Sequence, residues 1–540
     1  MVLIQNLPVE LLRQIFESLT DFEEEPLDLP IRGDNANDAT EDKLGKNDSG
    51  DDGNDDDFDK LKDLRSVCLV SQFFRELAQP LLFRDFDEDG LSGSMAKIVS
   101  FTRSLYRNAE LGKHVQRISI MNPLALGPFH VDIEDEDSEL FNDAILKLRL
   151  ADQEQRVWVA ATQKSDLSVY IALIVNKTPN LRQLCLPGGE FSMKPIIQLF
   201  AQNPSLLPNL ELLWIDADDE SAGYPIMAYE EVLTRPKLAN ANFEYGDLDD
   251  DMFPASWTPR TLAMEELAFH HCYIDAKALP KLLQACKTLK SFGYDNFGLD
   301  PRDHRTPTSK DVPEFNATQA HEALLGHKDT LEHFHLAFAW EPWDVENIAE
   351  YVSNKVKIGS FRDFSVLETV VISHELLPPH PQFPPSLKTL HITNCNLSIR
   401  DMAKNIANDC KKDLYPNLTD FMVLAADITR PIKLSGQVIP PGQTPEQCFL
   451  SLKNMFNGTK VDFRICPYKL PDFDDEPDES DESDFDYEDD DEFMEAHGQG
   501  PSQFAGLLHM IMQHSLEDPE SVPKGFFATS DNSWETESDG

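Results

Sequence analysis

The sequence predicts an α/β fold in which a helical N-terminal region precedes a repetitive body and an acidic tail. Three observations carry this prediction. Apolar residues recur at helical spacing near the N-terminus, a six-residue apolar unit recurs along the chain, and acidic residues concentrate in two runs. Of the net charge of −49, the runs at 21–60 and 471–496 contribute −12 and −16. We place the domains at 1–90, 91–468 and 469–540.

The first helical pattern lies at 7–19 and reads LPVELLRQIFESL. Its large apolar residues recur at steps of three and four, so they share one helical face: Leu11, Leu12, Ile15, Phe16 and Leu19. Pro8 fits the first turn, where its missing N–H would have no partner. The pattern resumes at 61–84 as two short apolar faces, formed by Leu64, Val67, Cys68 and Val70, and by Phe73, Phe74, Leu77 and Ala78. Helices this small cannot bury all of that surface in one another, so we expect a partner to cover part of it.

Two stretches, LPVELLRQIF at 7–16 and VCLVSQFFRELA at 67–78, resemble the F-box family. The resemblance implies docking onto the Skp adaptor of a Skp–cullin–F-box ubiquitin ligase and, through Skp, onto cullin. The residues expected to bind Skp are Leu7, Pro8, Leu11, Leu12, Ile15, Phe16, Leu64, Val67, Cys68, Val70, Ser71, Phe74 and Leu77. The residues alone leave open a plain helical hairpin that packs on its own body.

A long acidic insertion separates these two stretches, whereas an ordinary F-box joins them by a few residues. Residues 21–60 contain 16 acidic and 4 basic side chains. The entropy of loop closure grows only with the logarithm of length, so the two halves can still meet. We expect 21–60 to be a disordered loop, because it has too little apolar surface to offset the entropy of ordering.

A unit of the form L-x-x-L-x-L recurs through the body. It starts at Val115, Leu181, Leu210, Leu238, Met264, Leu289, Leu331, Leu367, Leu387 and Leu418. From the second copy onward, successive starts are 29, 28, 26, 25, 42, 36, 20 and 31 residues apart. Most of these spacings are close to the 20–29 residue period of leucine-rich repeats. In two copies the turn position that usually takes Asn or Cys is Cys272 or Cys395.

The body at 91–468 resembles the divergent leucine-rich-repeat region of fungal F-box proteins. In such a solenoid the fourth and sixth residues of each unit point inward from a short strand, and intervening helices, here 168–177 and 278–286, cover the outer side. An ordinary α/β domain whose strands happen to read L-x-x-L-x-L is the alternative. A terminal strand is expected at 461–465.

The tail at 469–540 is expected to be mostly disordered, because like charges repel one another along 471–496. A short helix is possible at 502–515, where Phe504, Leu507, Leu508, Ile511 and Met512 share one face. A cap on the repeat array and a partner-binding helix both remain open for it.

Composition and motifs exclude several classes of function. The negative charge argues against nucleic-acid binding, and no apolar run is long enough for a membrane span. Eight scattered cysteines without C-x-x-C pairs, and no evident secretory signal, indicate a cytoplasmic or nuclear protein. The chain carries no phosphate-binding glycine loop and no nucleophile elbow, and its histidine clusters lack a third metal ligand. We therefore expect no cofactor, no metal and no catalytic residues, and interpret the protein as a non-enzymatic adaptor.

The predicted function is that of a substrate-recognition subunit, with Skp bound by the F-box and a protein client bound by the repeat body. The register of the repeat places its variable residues on the opposite face of each strand, where the client is expected to bind: Trp214, Asp216, Glu266, His270, His333, His335 and His391. A Trp214 buried in the array is the alternative for the first of these. The alternative function is an acidic, histone-chaperone-like scaffold that acts without ubiquitin.

Overall fold

The computed structural model describes the helices, the strands and the segments next to them. The residues described are 7–18, 55–88, 95–120, 131, 133–188, 193–217, 223–296, 317–338, 356–395, 399–426 and 452–468. Most of the acidic insertion, the acidic tail and the helix predicted at 502–515 lie outside these ranges. The protein is an α/β protein, as the sequence predicts.

After the first three, the α-helices of the described residues are interspersed with strands. They are α1 (Val9–Ser18), α2 (Asp55–Val70), α3 (Gln72–Leu82), α4 (Met95–Arg107), α5 (Asp135–Leu146), α6 (Asp152–Thr162), α7 (Leu167–Lys177), α8 (Lys194–Gln202), α9 (Glu230–Leu233), α10 (Ala278–Ala285), α11 (Ala317–Leu324) and α12 (Ile399–Lys411). Helix α2 begins at Asp55, so the last six residues of the predicted disordered loop are helical. Composition cannot place that boundary, because aspartate-rich sequence suits a loop and the first turn of a helix equally well.

The chain forms two compact units, of which the first comprises 1–292 and 301–315. Its main strands are β1 (Asp85–Glu88), β2 (Arg117–Ile120), β3 (Gln183–Pro187), β4 (Leu212–Asp216), β6 (Asn240–Glu244) and β8 (Glu266–His270). These six pair in parallel, in that order. The short strands β5 (Tyr224–Pro225), β7 (Gly246–Leu248) and β9 (Tyr273–Ile274) form a second parallel sheet. Strand β10 (Ser291–Asn296) crosses the boundary between the units.

The second unit comprises 293–300 and 316–540. Its strands are β11 (His333–Phe338), β12 (Thr369–Ser373), β13 (Thr389–Cys395), β14 (Asp420–Ala426) and β15 (Asp462–Tyr468). They also pair in parallel and in chain order. The terminal strand predicted at 461–465 is therefore present, and it continues to Tyr468.

The apolar positions of the recurring six-residue pattern form the core of both compact units. The first, fourth and sixth residues of every copy are at most 1% exposed, for example Leu210, Leu213 and Ile215 in the copy that contains β4. This burial confirms the inward positions that the sequence predicts. The weak copy at Leu238 is also a strand, β6, with Ala241 and Phe243 buried.

Helices cover the strands at the predicted places. Helix α7 differs from the predicted span by one residue at its start, and α10 by one at its end. Nine consecutive residues of α7, from Leu167 to Val175, are buried, which is typical of a helix enclosed on all sides. No helix within the described ranges is both long and apolar enough to cross a membrane.

Two features connect the helical region directly to the strands. Strand β1 lies inside the region predicted to be purely helical, so the sheet begins at Asp85 and not after residue 90. Only Phe83 and Arg84 separate α3 from β1. The carbonyl of Arg84 accepts hydrogen bonds from the N–H groups of Gln116 and Arg117, at 2.7 and 3.2 Å, which fixes this connection to β2.

A buried carboxylate joins α4 to α5. The side chain of Asp137 is fully buried and lies 2.5 Å from Arg103 and 3.2 Å from Arg107. Asp137→Asn should lower the free energy of unfolding by about 1–3 kcal/mol, because the arginines lose their buried partner but remain partly solvated. Urea denaturation measures the change. The matched control is Glu136→Gln, which removes an exposed carboxylate 3.0 Å from Arg107 and should cost less than about 0.5 kcal/mol. Equal losses in the two variants would contradict this role for Asp137.

Candidate protein-docking surfaces

The first three helices enclose a small core of their own. Its buried members are Leu12, Phe16, Leu64, Cys68, Phe74, Leu77 and Ala78, with Leu7, Val67, Leu81 and Leu82 packed against them. The rings of Phe16 and Phe74 meet edge to face with centroids 5.7 Å apart, which ties α1 to α3. Ser71 caps α3, since its hydroxyl accepts a hydrogen bond of 3.1 Å from the N–H of Phe74.

The same three helices leave large apolar side chains exposed. Leu11 and Ile15 of α1 are 46% and 40% exposed, and Val70 at the end of α2 is 64% exposed. Val9, Leu69 and Phe73 are also exposed. We call Val9, Leu11, Ile15, Leu69, Val70 and Phe73 the exposed apolar set. Its members come from all three helices. Exposed positions of this kind are more often occupied by charged or polar residues.

The thirteen residues predicted to bind Skp differ in how exposed they are. Pro8, Leu11, Ile15 and Val70 are exposed, and Leu7, Val67 and Ser71 are half-buried. The remaining six belong to the enclosed core, namely Leu12, Phe16, Leu64, Cys68, Phe74 and Leu77. A partner that docks on this conformation cannot reach those six, so we correct their role from contact to support. Sequence reasoning passed over Val9, Leu69 and Phe73, although Phe73 already stood out as part of an apolar face.

The residues predicted to bind the client lie on the predicted face of the strands. Trp214 is in register with Cys185 on one side and Asn242 on the other, and Glu244 is in register with His270. In the second unit His335 is in register with Val371, and Val371 with His391. In the second unit the predicted residues His335 and His391 therefore align across β12.

The exposure expected of this face is wrong. Trp214 is only 5% exposed, so it is not a surface anchor and the buried alternative describes it. Asp216, His270, His335 and His391 are buried as well, while Glu266 and His333 are half-buried. In a parallel sheet both faces of a strand are commonly covered, and β4 is buried along its whole length.

An acidic pair stands at the carboxyl ends of β4 and β6. Burial raises the pKa of Asp216 to about 6, against the lowering effects of a hydrogen bond with Glu244 and the charge of His270. A hydrogen bond between two carboxyl groups requires a proton on one of them, and burial at this position favours that protonated form. All three side chains are more than nine-tenths buried, and the pair therefore belongs to the interior of the unit.

In the second unit a histidine, an aspartate and an arginine form a network across three strands. His391 Nε2 lies 3.0 Å from Asp420 Oδ2, and Arg464 Nη2 donates to Asp420 Oδ1 at 2.8 Å. Burial tends to raise the pKa of Asp420, but the hydrogen bonds and charges of His391 and Arg464 outweigh it and hold that pKa below its usual value. On β11, burial lowers the pKa of His333 to about 4.

Burial also governs the chemistry of the cysteine thiols. Burial raises the pKa of the Cys185 and Cys286 thiols to about 12, and that of Cys410 to about 11, so all three remain protonated at neutral pH. Within the part of the chain that the structure describes, no three His, Cys, Asp or Glu side chains are arranged to hold a metal ion. The exposed apolar set, in contrast, lies on the surface of the first three helices.

Comparison with known proteins does not extend these observations. No protein-family model matches the chain, and no curated protein matches it.

The burial of Trp214 predicts a structural phenotype. Trp214→Ala should lower the free energy of unfolding by about 3–5 kcal/mol, because it leaves a large cavity between β3 and β6. Chemical denaturation with tryptophan-independent detection, such as far-UV circular dichroism, measures the loss. The control Leu146→Ala, at an exposed apolar position of α5, should change stability by less than about 0.5 kcal/mol. A Trp214→Ala variant as stable as the control would restore Trp214 as a surface residue.

The lowered pKa of Asp420 predicts how the stability of the protein falls at acidic pH. Its ionised form contributes stability fully above the unfolded value of 3.8, and that contribution is lost as the pH falls through the lower folded pKa. Asp420→Asn should therefore be less stable than the wild type at pH 7, and the difference should shrink below about pH 4. Melting temperatures between pH 2.5 and 7 test this. Asp462→Asn, which removes an exposed carboxylate beside the same arginine, should follow the wild-type curve. A constant difference at every pH would show that the charge of Asp420 is not the cause.

Proposed function

We propose that this protein is the substrate-recognition subunit of a Skp–cullin–F-box ubiquitin ligase. The observation that supports the proposal most is the combination of an enclosed three-helix core and an exposed apolar set on the same helices. The resemblance of 7–16 and 67–78 to the F-box supplies the identity of the partner.

The exposed apolar set favours a protein partner on physical grounds. Apolar side chains that the chain leaves in water gain free energy when a partner covers them, at about 25 cal/mol per Å². The small core is already closed by Leu12, Phe16 and Phe74, so Leu11, Ile15 and Val70 are not needed to complete it. Several exposed apolar side chains on one small helical region mark an interaction site.

The strand-bearing body has the second role in this proposal. As a leucine-rich-repeat solenoid, it would bind a protein client and hold it near the ubiquitin-conjugating enzyme at the far end of the cullin. The reaction then depends on proximity, because holding client lysines beside the charged thioester raises their effective concentration. The protein itself supplies no reacting group in this scheme. Most of the predicted client residues are buried. In this proposal the client therefore binds other residues of the body, which the sequence did not indicate.

Charge substitutions in α1 test the adaptor contact. Leu11→Asp with Ile15→Asp should weaken binding of purified Skp at least about 100-fold, because each aspartate replaces an apolar contact at the centre of the interface. Isothermal titration calorimetry or surface plasmon resonance gives the dissociation constants. Both positions are exposed, so the melting temperature should remain near that of the wild type.

The chain offers a matched control for this experiment. Leu146 of α5 and Val157 of α6 are also large exposed apolar residues, at 60% and 59%, but lie outside the first three helices. Leu146→Asp with Val157→Asp should leave Skp binding unchanged. Wild-type affinity in the α1 variant, or equal loss in both variants, would rule out the F-box assignment.

The start of α2 at Asp55 sharpens the test of the insertion. Replacing 21–54 by a Gly/Ser linker of about 12 residues should preserve Skp binding, because loop shortening costs little and all three helices remain. Extending the replacement to Lys60 removes the first six residues of α2 and should lower the affinity. Skp titrations of the two deletion variants separate these outcomes. Loss of binding in the shorter deletion would show that the insertion itself contributes to the interface.

A further inference from the structure

A cavity of about 300 Å³ lies where the helical region meets the first strands of the first unit. Its lining comes from α2, the end of α3, β1, β2 and α4. We call it the joint cavity and define it by Arg65, Leu82, Phe83, Phe101 and Arg117. Its volume is at the lower end of the range of small-molecule sites in proteins.

One side of the joint cavity is a stack of aromatic rings. Phe86 and Phe101 are nearly parallel, with centroids 4.1 Å apart, and Phe83 continues the stack 6.0 Å from Phe101. Phe86 is buried, but Phe83 and Phe101 are only half-buried. Leu81 and Leu82 extend this apolar side. Flat, partly exposed rings of this kind favour a planar apolar body against them.

The charges around the cavity are unevenly matched. Arg84 lies 2.8 Å from Asp85, and Lys97 lies 2.9 Å from the fully buried Glu88, so those charges are paired within the chain. Arg65 forms no ion pair or hydrogen bond with any residue that the structure describes. One unpaired cation thus stands on the α2 side of the cavity.

Arg117, on the β2 side, is held only loosely by its ion pair within the chain. Its Nε is buried and, among the described residues, has no hydrogen-bond partner. Its Nη2 lies 4.0 Å from the mostly exposed carboxylate of Asp87, which is beyond hydrogen-bond distance. The guanidinium group is partly exposed at the cavity, and a carboxylate matches its fork-shaped geometry in two hydrogen bonds.

We propose that the joint cavity binds a small organic carboxylate that has a planar apolar body. The carboxylate accepts hydrogen bonds from Arg117 and neutralises Arg65, while the planar body packs on Phe83 and Phe101. A neutral ligand of the same shape makes no charge-assisted hydrogen bond with Arg117, and a cationic ligand is repelled by both arginines. Because Arg65 belongs to α2 and Arg117 to β2, the bound carboxylate links the helical region to the sheet. The proposal does not depend on the proposed function, since the cavity shares no residue with the exposed apolar set.

Two probes of equal shape test the proposal on the full-length chain: 2-naphthoate and its neutral analogue 2-naphthamide. Isothermal titration calorimetry should show one site for naphthoate, with an affinity at least about tenfold above that for naphthamide. Arg65→Gln with Arg117→Gln should remove that preference. The affinity for naphthamide should stay the same, because the apolar side of the cavity is unchanged.

Two further variants control for charge and for folding. Arg156→Gln with Lys164→Gln removes two exposed positive charges in and just after α6, away from the cavity, and should preserve the preference for naphthoate. Ser100→Trp places a bulky ring from the exposed side of α4 into the cavity and should abolish binding of both probes without disturbing the core. Equal affinities for the two probes in the wild type, a preference for naphthoate that survives in the arginine variant, or binding of either probe to Ser100→Trp would overturn the proposal. Skp binding measured in the same arginine variant keeps this result separate from a failure of the proposed function.

Discussion

The structure depends on one constraint, which is that no short parallel strand can bury its apolar side by itself. The fourth and sixth residues of every repeat unit point into the interior, where neighbouring units and covering helices exclude water from them. Parallel pairing needs a crossover between successive strands, and most of the connections contain a helix for this purpose. Loss of one inward residue such as Leu213 or Phe269 therefore weakens the strands on both sides as well as its own. The core of each unit is cooperative for this reason.

The sequence predicted the strands that carry the repeat pattern, because burial on one side imposes a fixed spacing of apolar residues. It did not predict β1, β5, β7 or β9. Their two to four residues are too few for a period to emerge, and Asp85–Glu88 reads as an acidic loop when taken alone. These strands form because neighbouring strands offer backbone hydrogen bonds in register, and that is tertiary information. The same limit explains the boundary of α2, which composition placed six residues too late.

For the candidate sites, the pattern of residues predicts which side of a strand a side chain takes, but not whether that side chain is exposed. By the alternation of side chains along a strand, Trp214, His335 and His391 lie on the face opposite the fourth and sixth residues of their repeat copies. Whether that face is open depends on what covers it, and the spacing of residues within a strand holds no information on this point. On α1, exposure differs even between adjacent residues, since Leu12 is buried and Leu11 is exposed. A helical pattern defines a broad apolar stripe, and the packing partners decide which edge of that stripe remains in water.

The short connection between α3 and β1 also limits how the helices can move. Phe83 donates its backbone N–H to the carbonyls of Gln79 and Leu81, and Arg84 is held by β2, so neither connecting residue is free to act as a hinge. A protein that works by proximity commonly adjusts its reach through a flexible linker. Here the direction of the three helices relative to the first strands is set by hydrogen bonds within the chain. In a ligase receptor built in this way, the position of a lysine along the client, and not bending at this connection, would select the site of modification.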